Sequence, residues 1–278
     1  MIRYGNKDDI TAIKELWYTT FDDDKAFSDY FFEYIFDIKY TLLYIENNSL
    51  VSMLQALPYK IATNSFNKIT DSSAEFNNAN SIDVTYIYGA ATNKAHRGKG
   101  LMKALINKSF ELDSNNGRFA SILIPAEPSL FNYYKTLGYD ASFYINKDTY
   151  TPTNSIFSSD VILATTDSIS ILESIYTGSI IRDKTYWLKQ IQMTKTLGSK
   201  IYILSNRAYA FVADSCNIQE LMYKDAEAKN ILLSHISADL NTSKINIIEK
   251  GNTTPFGMIK YHKNIDKGQN MYMNLMYN

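Results

Sequence analysis

Along the first 150 residues the apolar positions switch between two periods, and each switch predicts an element. Ile2 to Tyr4 reads as a short strand, and Ile10, Ile13, Leu16 and Trp17 then recur at helical spacing, with Asp8 or Asp9 in position to cap the helix. Phe27, Tyr30, Phe31, Tyr34 and Ile35 predict a second helix after the acidic run Asp22-Asp23-Asp24. Thr41 to Glu46 and Leu50 to Ala62 read as strands joined by a hairpin turn at Asn47-Asn48-Ser49. The polar segment Thr63 to Asn80 predicts a long loop, and Asp83 to Ala91 has strand composition. Leu101, Met102, Leu105, Ile106 and Leu112 mark one face of a helix that Gly117 stops. Phe119 to Ile124 is a buried strand ended by Pro125, and Leu130 to Tyr134 is a short helix before Gly138-Tyr139.

The polar stretch Asp148 to Ser159, containing Pro152, predicts a linker, and the pattern then begins again. Val161 to Leu163 is strand-like, Asp167 takes the cap position of Asp8, and Ile169, Leu172, Ile175 and Tyr176 fall where Ile10, Ile13, Leu16 and Trp17 fell. The hairpin recurs as Tyr202 to Asn206 followed by Tyr209 to Ala213, and Asn217 to Tyr223, Ala226 to Ile236 and Lys244 to Ile248 complete a strand-helix-strand ending. Two tandem α/β (α+β) domains are therefore expected, 1–150 and 151–278. The alternative is two unrelated domains with similar local patterns.

Composition narrows the function. Lys plus Arg number 28 against 29 Asp plus Glu, so no bulk positive field would draw the chain to nucleic acid or an anionic membrane, and any anion site must be local. The single Cys216 excludes an internal disulfide, and His96, His235 and His262 lack metal-ligand spacing, so no metal site is expected. No apolar run approaches the ~20 residues that cross a bilayer, and no signal peptide opens the chain, so a cytoplasmic location is expected. Nothing fixes whether copies of the chain form a homo-oligomer. The 22 tyrosines mean that no single tyrosine is informative without its context.

That context is the segment from Tyr86 to Met102, where a strand leads through Arg97-Gly98-Lys99-Gly100 into a helix. Unpaired backbone N–H groups and the positive end of a helix dipole converge there, which makes an anion site. Glycines at 98 and 100 let the backbone close on a diphosphate without a Cβ in the way, and Arg97 and Lys99 add charge-assisted contacts. The third glycine of a dinucleotide fingerprint and the G-x-x-x-x-G-K-[ST] loop are both missing. The segment resembles motif A of the GCN5-related N-acetyltransferases (GNAT), Q/R-x-x-G-x-G/A, which binds the pyrophosphate of acetyl-CoA. Ala95 departs from it where the family often has Gln or Arg. Ile124 to Pro128 and Tyr133 to Tyr139 resemble the family's fifth strand and its Y-x-x-x-G-[FY] signature, so the similarity covers roughly residues 1 to 145.

The resemblance implies a mixed, mainly antiparallel twisted sheet flanked by helices in each domain, and acetyl-CoA as acyl donor. It assigns Ala90, Ala91 and Thr92 to the pantetheine arm, Arg97, Gly98, Lys99, Gly100, Leu101 and Met102 to the pyrophosphate, and Tyr134 to the general acid. A phenol near ~10 can protonate the thiolate expelled when a small primary amine attacks the thioester. For the base the sequence offers Glu127, with Asp83 as a further carboxylate; both also read as solvated or capping acids. The acidic run at Asp22 to Asp24 is expected to border the acceptor.

The second copy has no glycine turn; Lys224-Asp225-Ala226-Glu227 places carboxylates at the helix start instead, so it is expected to bind no coenzyme A. An active domain followed by a degenerate one resembles the Eis-type acetyltransferases, with the sterol-carrier-like third domain lacking. In that group the terminal carboxylate acts as a base, which implies the same role for Asn278, a role that the missing domain puts in doubt along with aminoglycosides as substrate. A non-catalytic acyl-CoA-binding or regulatory protein and a Fem-like aminoacyltransferase are the alternative functions.

Overall fold

In the computed structural model of the chain, residues 1–66, 80–152, 157–214, 216–263 and 271–275 are described. Most of the expected 63–80 loop, and Asn278, fall outside them. The chain forms two compact units, Met1–Phe143 with Phe256–Gln269, and Tyr144–Pro255 with Asn270–Asn278. In chain order the first stretch contains β1 (Ile2–Tyr4), α1 (Ile10–Thr20), α2 (Lys25–Tyr30), β2 (Thr41–Glu46), β3 (Ser49–Ala62), β4 (Ser81–Thr92), α3 (Leu101–Asn115), β5 (Ala120–Leu123) and α4 (Ser129–Lys135). There follow β6 (Asp140–Tyr150), β7 (Val161–Leu163), α5 (Ile169–Ile175), α6 (Lys184–Thr196), β8 (Lys200–Leu204), β9 (Ala208–Val212), β10 (Asn217–Tyr223), α7 (Ala226–Asp239), β11 (Ile245–Lys250) and β12 (Thr254–Tyr261).

Within each unit the sheet has the same build. The first runs β1-β2-β3-β4-β5-β12, antiparallel except for the parallel pair β4 and β5. The second runs β7-β8-β9-β10-β11-β6, antiparallel except for β10 and β11. The sixth strand of each unit thus comes from outside its own linear run. A division at 150/151 does not capture this exchange, because β6, expected in part as linker, pairs Ile145–Tyr150 with β11, and Met258–Tyr261 of β12 pairs with β5.

Local chemistry accounts for the elements. Asn47 and Asn48 sit at φ 49° and 60° between the paired residues Glu46 and Ser49, a two-residue turn of the mirror-image type whose twist suits a hairpin. The helix starts differ from expectation in the same way in both copies. Asn6 caps a 3-10 turn at Lys7–Asp9, reciprocated by Asp9, and Thr165 with Ser168 does the same before α5. The extra turn moves the cap forward, and Asp9 is otherwise engaged by two 2.7 Å bonds from Arg3. The core of the first unit packs α3 and α4 on the sheet through Leu42, Leu54, Ile87, Leu105, Ile106 and Leu123. That of the second packs α7 through Leu232, Leu233 and Ile236 on Ile218, Ile245 and Ile247.

Candidate active site

The turn between β4 and α3 has the geometry an anion cradle requires. Gly98 and Gly100 sit at φ 76° and 77°, the left-handed region that an L side chain resists, and a Cβ at either would meet no protein atom within 4 Å. The first helical bond runs from Ala104 N to Gly100 O, and among the described residues no amide of 98 to 103 donates to a protein acceptor. Asn93 holds the approach by accepting from Ala95 N at 3.0 Å, and Arg97 anchors its Nε on Thr92 O at 3.1 Å. Arg97 and Lys99 are exposed, so both cations flank the cradle in solvent. The open amides and the space around both glycines fit the pyrophosphate of coenzyme A.

Upstream, β4 is bent and then left open. Met53 faces Ala91 and Gln55 faces Tyr88, so two residues, Gly89 and Ala90, oppose Leu54 in a bulge with Gly89 at φ 55°. A Cβ on Gly89 would lie 2.6 Å from the Trp17 ring, so the glycine answers both to conformation and to close approach. An isolated glycine inside a strand pattern is the signal that predicts such a bulge, and it went unused in the sequence reading. Pairing of β4 with β5 covers Val84 to Tyr86 only; beyond it Ile87 to Thr92 is unpaired on that side, roughly 20 Å of strand at ~3.3 Å per residue. Ala90, Ala91 and Thr92 lie in this free stretch, next to the turn.

Tyr134 is 7% exposed and packs in one cluster with Ala90 and Met102, which brings the expected acid to the expected cofactor residues. Burial pushes its phenol up to about 12, with a smaller contribution from Tyr133, so it stays protonated at neutral pH. Its hydroxyl has no hydrogen-bond partner among the described residues. The rest of the Tyr134-to-Tyr139 signature is structural. Gly138 at φ 87° turns the chain, and Tyr139 is fully buried with its hydroxyl 2.7 Å from Ser121 Oγ.

The carboxylates fall in different places. Glu127 is exposed; its carbonyl receives Leu130 N at the start of α4, and its carboxylate has no partner among the described residues. Asp83 lies at the far end of β4, paired with Lys60 at 2.9 Å, and is removed from the turn. Of the acidic run, Asp24 caps α2 through Ala26 N, and Asp23 accepts from the Trp17 indole at 3.0 Å. Loss of solvent against that ring raises the Asp23 carboxyl above its usual range, although its outer side faces water. Trp17 in turn stacks on Phe31 at 4.5 Å and meets Tyr88 at 5.9 Å, an aromatic wall behind the bulge that sequence periodicity reads only as core.

In the second unit the corresponding helix start is closed. Asp225 accepts from Ala228 N at 2.8 Å, and Arg207 binds both Asp225 and Glu227, at 2.7 and 2.6 Å. No helix among the described residues is long and apolar enough to cross a membrane.

Residues 1–142 match the family model described as acetyltransferase (GNAT) domain. No curated protein matches the sequence. Among solved structures the fold is similar to a GCN5-related N-acetyltransferase from Anabaena variabilis (TM-score 0.69, 14% identity, 93% of this chain and 72% of that one). It is similar also to one from Kribbella flavida (0.69, 11%, 93% and 70%). Eis1 of Mycobacterium abscessus matches at TM-score 0.61 and 13% identity over 88% of this chain and 65% of that one, so the two-unit fold is Eis-like. With the family model spanning the cradle, the open strand and Tyr134, the chain belongs to the GNAT acetyltransferases and is an acyltransferase with acetyl-CoA as its acyl donor.

Proposed function

We propose that the first unit transfers the acetyl group to a small primary amine by direct attack on the thioester, with Tyr134 as general acid, and that the second unit is a degenerate copy. The observation that carries this reading is the grouping of Tyr134, Ala90 and Met102 in one cluster beside the open glycine turn. The amides of 98 to 103 and the side chains of Arg97 and Lys99 hold the pyrophosphate, and the unpaired edge at Ala90 to Thr92 takes the arm. Acetyl-CoA supplies a thioester and a thiolate leaving group. The phenol of Tyr134 gives its proton to the departing sulfur as the C–N bond forms, and water restores it. Glu127, exposed and unpaired, accepts the amine's proton through water. Asp23 and the Trp17 ring favour a cationic acceptor carrying an apolar substituent. A cytoplasmic location goes with this reading, since the one cysteine needs no oxidising compartment.

Thiol release from acetyl-CoA with a panel of polyamines, aminoglycosides, aromatic amines and amino acids tests the proposal. Turnover with at least one amine is expected. Binding of acetyl-CoA without turnover on any of them sinks catalysis and favours the non-catalytic acyl-CoA-binding alternative.

A further inference from the structure

We propose that the cleft where β10 and β11 part, in the second unit, binds an amino-acid-sized zwitterion, with its carboxylate on Lys250 and Asn146 and its ammonium on Glu249. The cleft has a volume of about 450 Å³. It lies at the same topological position as the donor site of the first unit, at the C-terminal ends of the two parallel strands. The lost glycine turn does not abolish the cleft; it changes what fits.

Length excludes coenzyme A. Pairing of β10 with β11 continues past its own bulge to Leu221 and Glu249, leaving only Met222 and Tyr223 free, about 7 Å of strand at ~3.3 Å per residue. An extended pantetheine arm does not fit there. Charge excludes a phosphate at the helix start, which Asp225 caps and Glu227 makes acidic. A compact ligand remains.

The lining supplies both signs. Lys250 gives one hydrogen bond to Thr177 O at 2.9 Å and has no carboxylate partner among the described residues. Asn146 directs its Oδ1 at three donors, Asn252 N, Thr253 N and Thr253 Oγ1, at 3.1, 3.3 and 3.0 Å. That network leaves its Nδ2 without a partner among the described residues. Gly251 packs so close that a Cβ would lie 2.0 Å from Asn146 Oδ1, so the rim is rigid. Glu249, 8% exposed, binds Lys229 through Oε2 at 2.7 Å, and its other oxygen has no described partner. Leu221, Met222 and Tyr223 form the apolar side. Two donors and one acceptor held around a small space, with an apolar wall, match a carboxylate, an ammonium and a side chain.

The test is calorimetric titration of the full chain, saturated with coenzyme A so that the first unit's donor site is filled. L-methionine, L-glutamate and L-lysine are titrated singly, each beside its decarboxylated amine and its deaminated acid. At least one amino acid is expected to bind one-to-one, with both truncated forms weaker. Lys250→Met should weaken that binding about 10- to 100-fold, the worth of one charge-assisted bond, and leave coenzyme A affinity and acetyl transfer unchanged. Thr177→Phe, which fills the cleft without removing a charge, should weaken it as well. No binding of any of the three at about 10 mM, or equal binding by wild type and both variants, overturns the proposal. Equal binding of the decarboxylated amine overturns the carboxylate anchor and points to the acceptor site of the first unit instead.

Discussion

Replacing Tyr134 by Phe separates chemistry from packing, because the two contributions of this residue differ so much in size. The ring packs in the α3–α4 cluster and is kept; the hydroxyl has no described partner, so its removal should change stability by no more than about 0.5 kcal/mol. A positioned general acid contributes about 10²–10⁴ in rate, or roughly 3–5 kcal/mol. Burial lifts this phenol from 10 to about 12, which makes it a weaker acid toward a thiolate of ~8–10, so the lower end applies: about 100-fold in kcat. The KM for acetyl-CoA should move by less than about twofold, since the cradle is untouched. Stopped-flow and steady-state thiol release, with thermal melts on the same samples, supply the three numbers. Because a group at about 12 remains protonated, the wild-type kcat/KM should show no descending limb from Tyr134 up to pH 10. An unchanged kcat at unchanged melting temperature refutes the acid assignment. A fall in kcat matched by an equal fall in acetyl-CoA affinity assigns Tyr134 to binding instead.

Other consequences are as direct. Gly98→Val with Gly100→Val should weaken coenzyme A binding at least about tenfold and cost about 1–2 kcal/mol per site in stability, since both residues sit at positive φ; retained affinity by calorimetry sinks the cradle. Gly89→Ala should destabilise by more than an open turn glycine does, because its Cβ meets the Trp17 ring as well as adverse φ; denaturant melts equal to those of Gly117→Ala contradict this. In the second unit Arg182 and Glu220, both side chains fully buried, form a bidentate pair that also binds Tyr209 and Tyr272; Arg182→Met should cost about 3–5 kcal/mol, read as a lower urea midpoint. Burial raises Tyr134 and Tyr202 from 10 to about 12, so the unfolded chain loses those protons first; stability is full below pH 10 and declines toward pH 12, and a melting temperature flat over that interval contradicts it.

Periodicity and turn chemistry carried much of the fold, for reasons that can be named. The Asn47-Asn48 turn, the α3 face and its Gly117 stop are local patterns, and local patterns survive into the structure. The extra strands are different. β6 and β12 each complete a sheet by pairing with a strand more than a hundred residues away, and no local period encodes a partner at that distance. The same holds for the buried polar groups. Asp113 joins His262 at 3.1 Å, and Arg118 joins Thr85 at 3.0 Å, from positions that read in sequence as a helix end, a tail and a strand. At the candidate site the cofactor turn was legible, because two glycines and two cations in a row have a physical meaning at a helix start. The partners of Asp23 and Glu127 were not, because a carboxylate in a loop reads the same whether it caps a helix, faces an indole or stands in water.

The two units differ where a duplicated fold can change function at least cost to stability. Their strand order, pairing senses and even the bulge in the fourth strand agree, so the core does not distinguish them. At the helix start, glycines leave amides open to a ligand in one, and an aspartate answers those amides in the other. A closed helix start removes the reason for a long open strand edge, and β10 accordingly stays paired to within two residues of its end. Unpaired strand edge is unfavourable unless something binds to it. The loss of the phosphate grip and the shortening of the cleft are therefore one change, in which backbone groups that once served a cofactor are returned to the sheet.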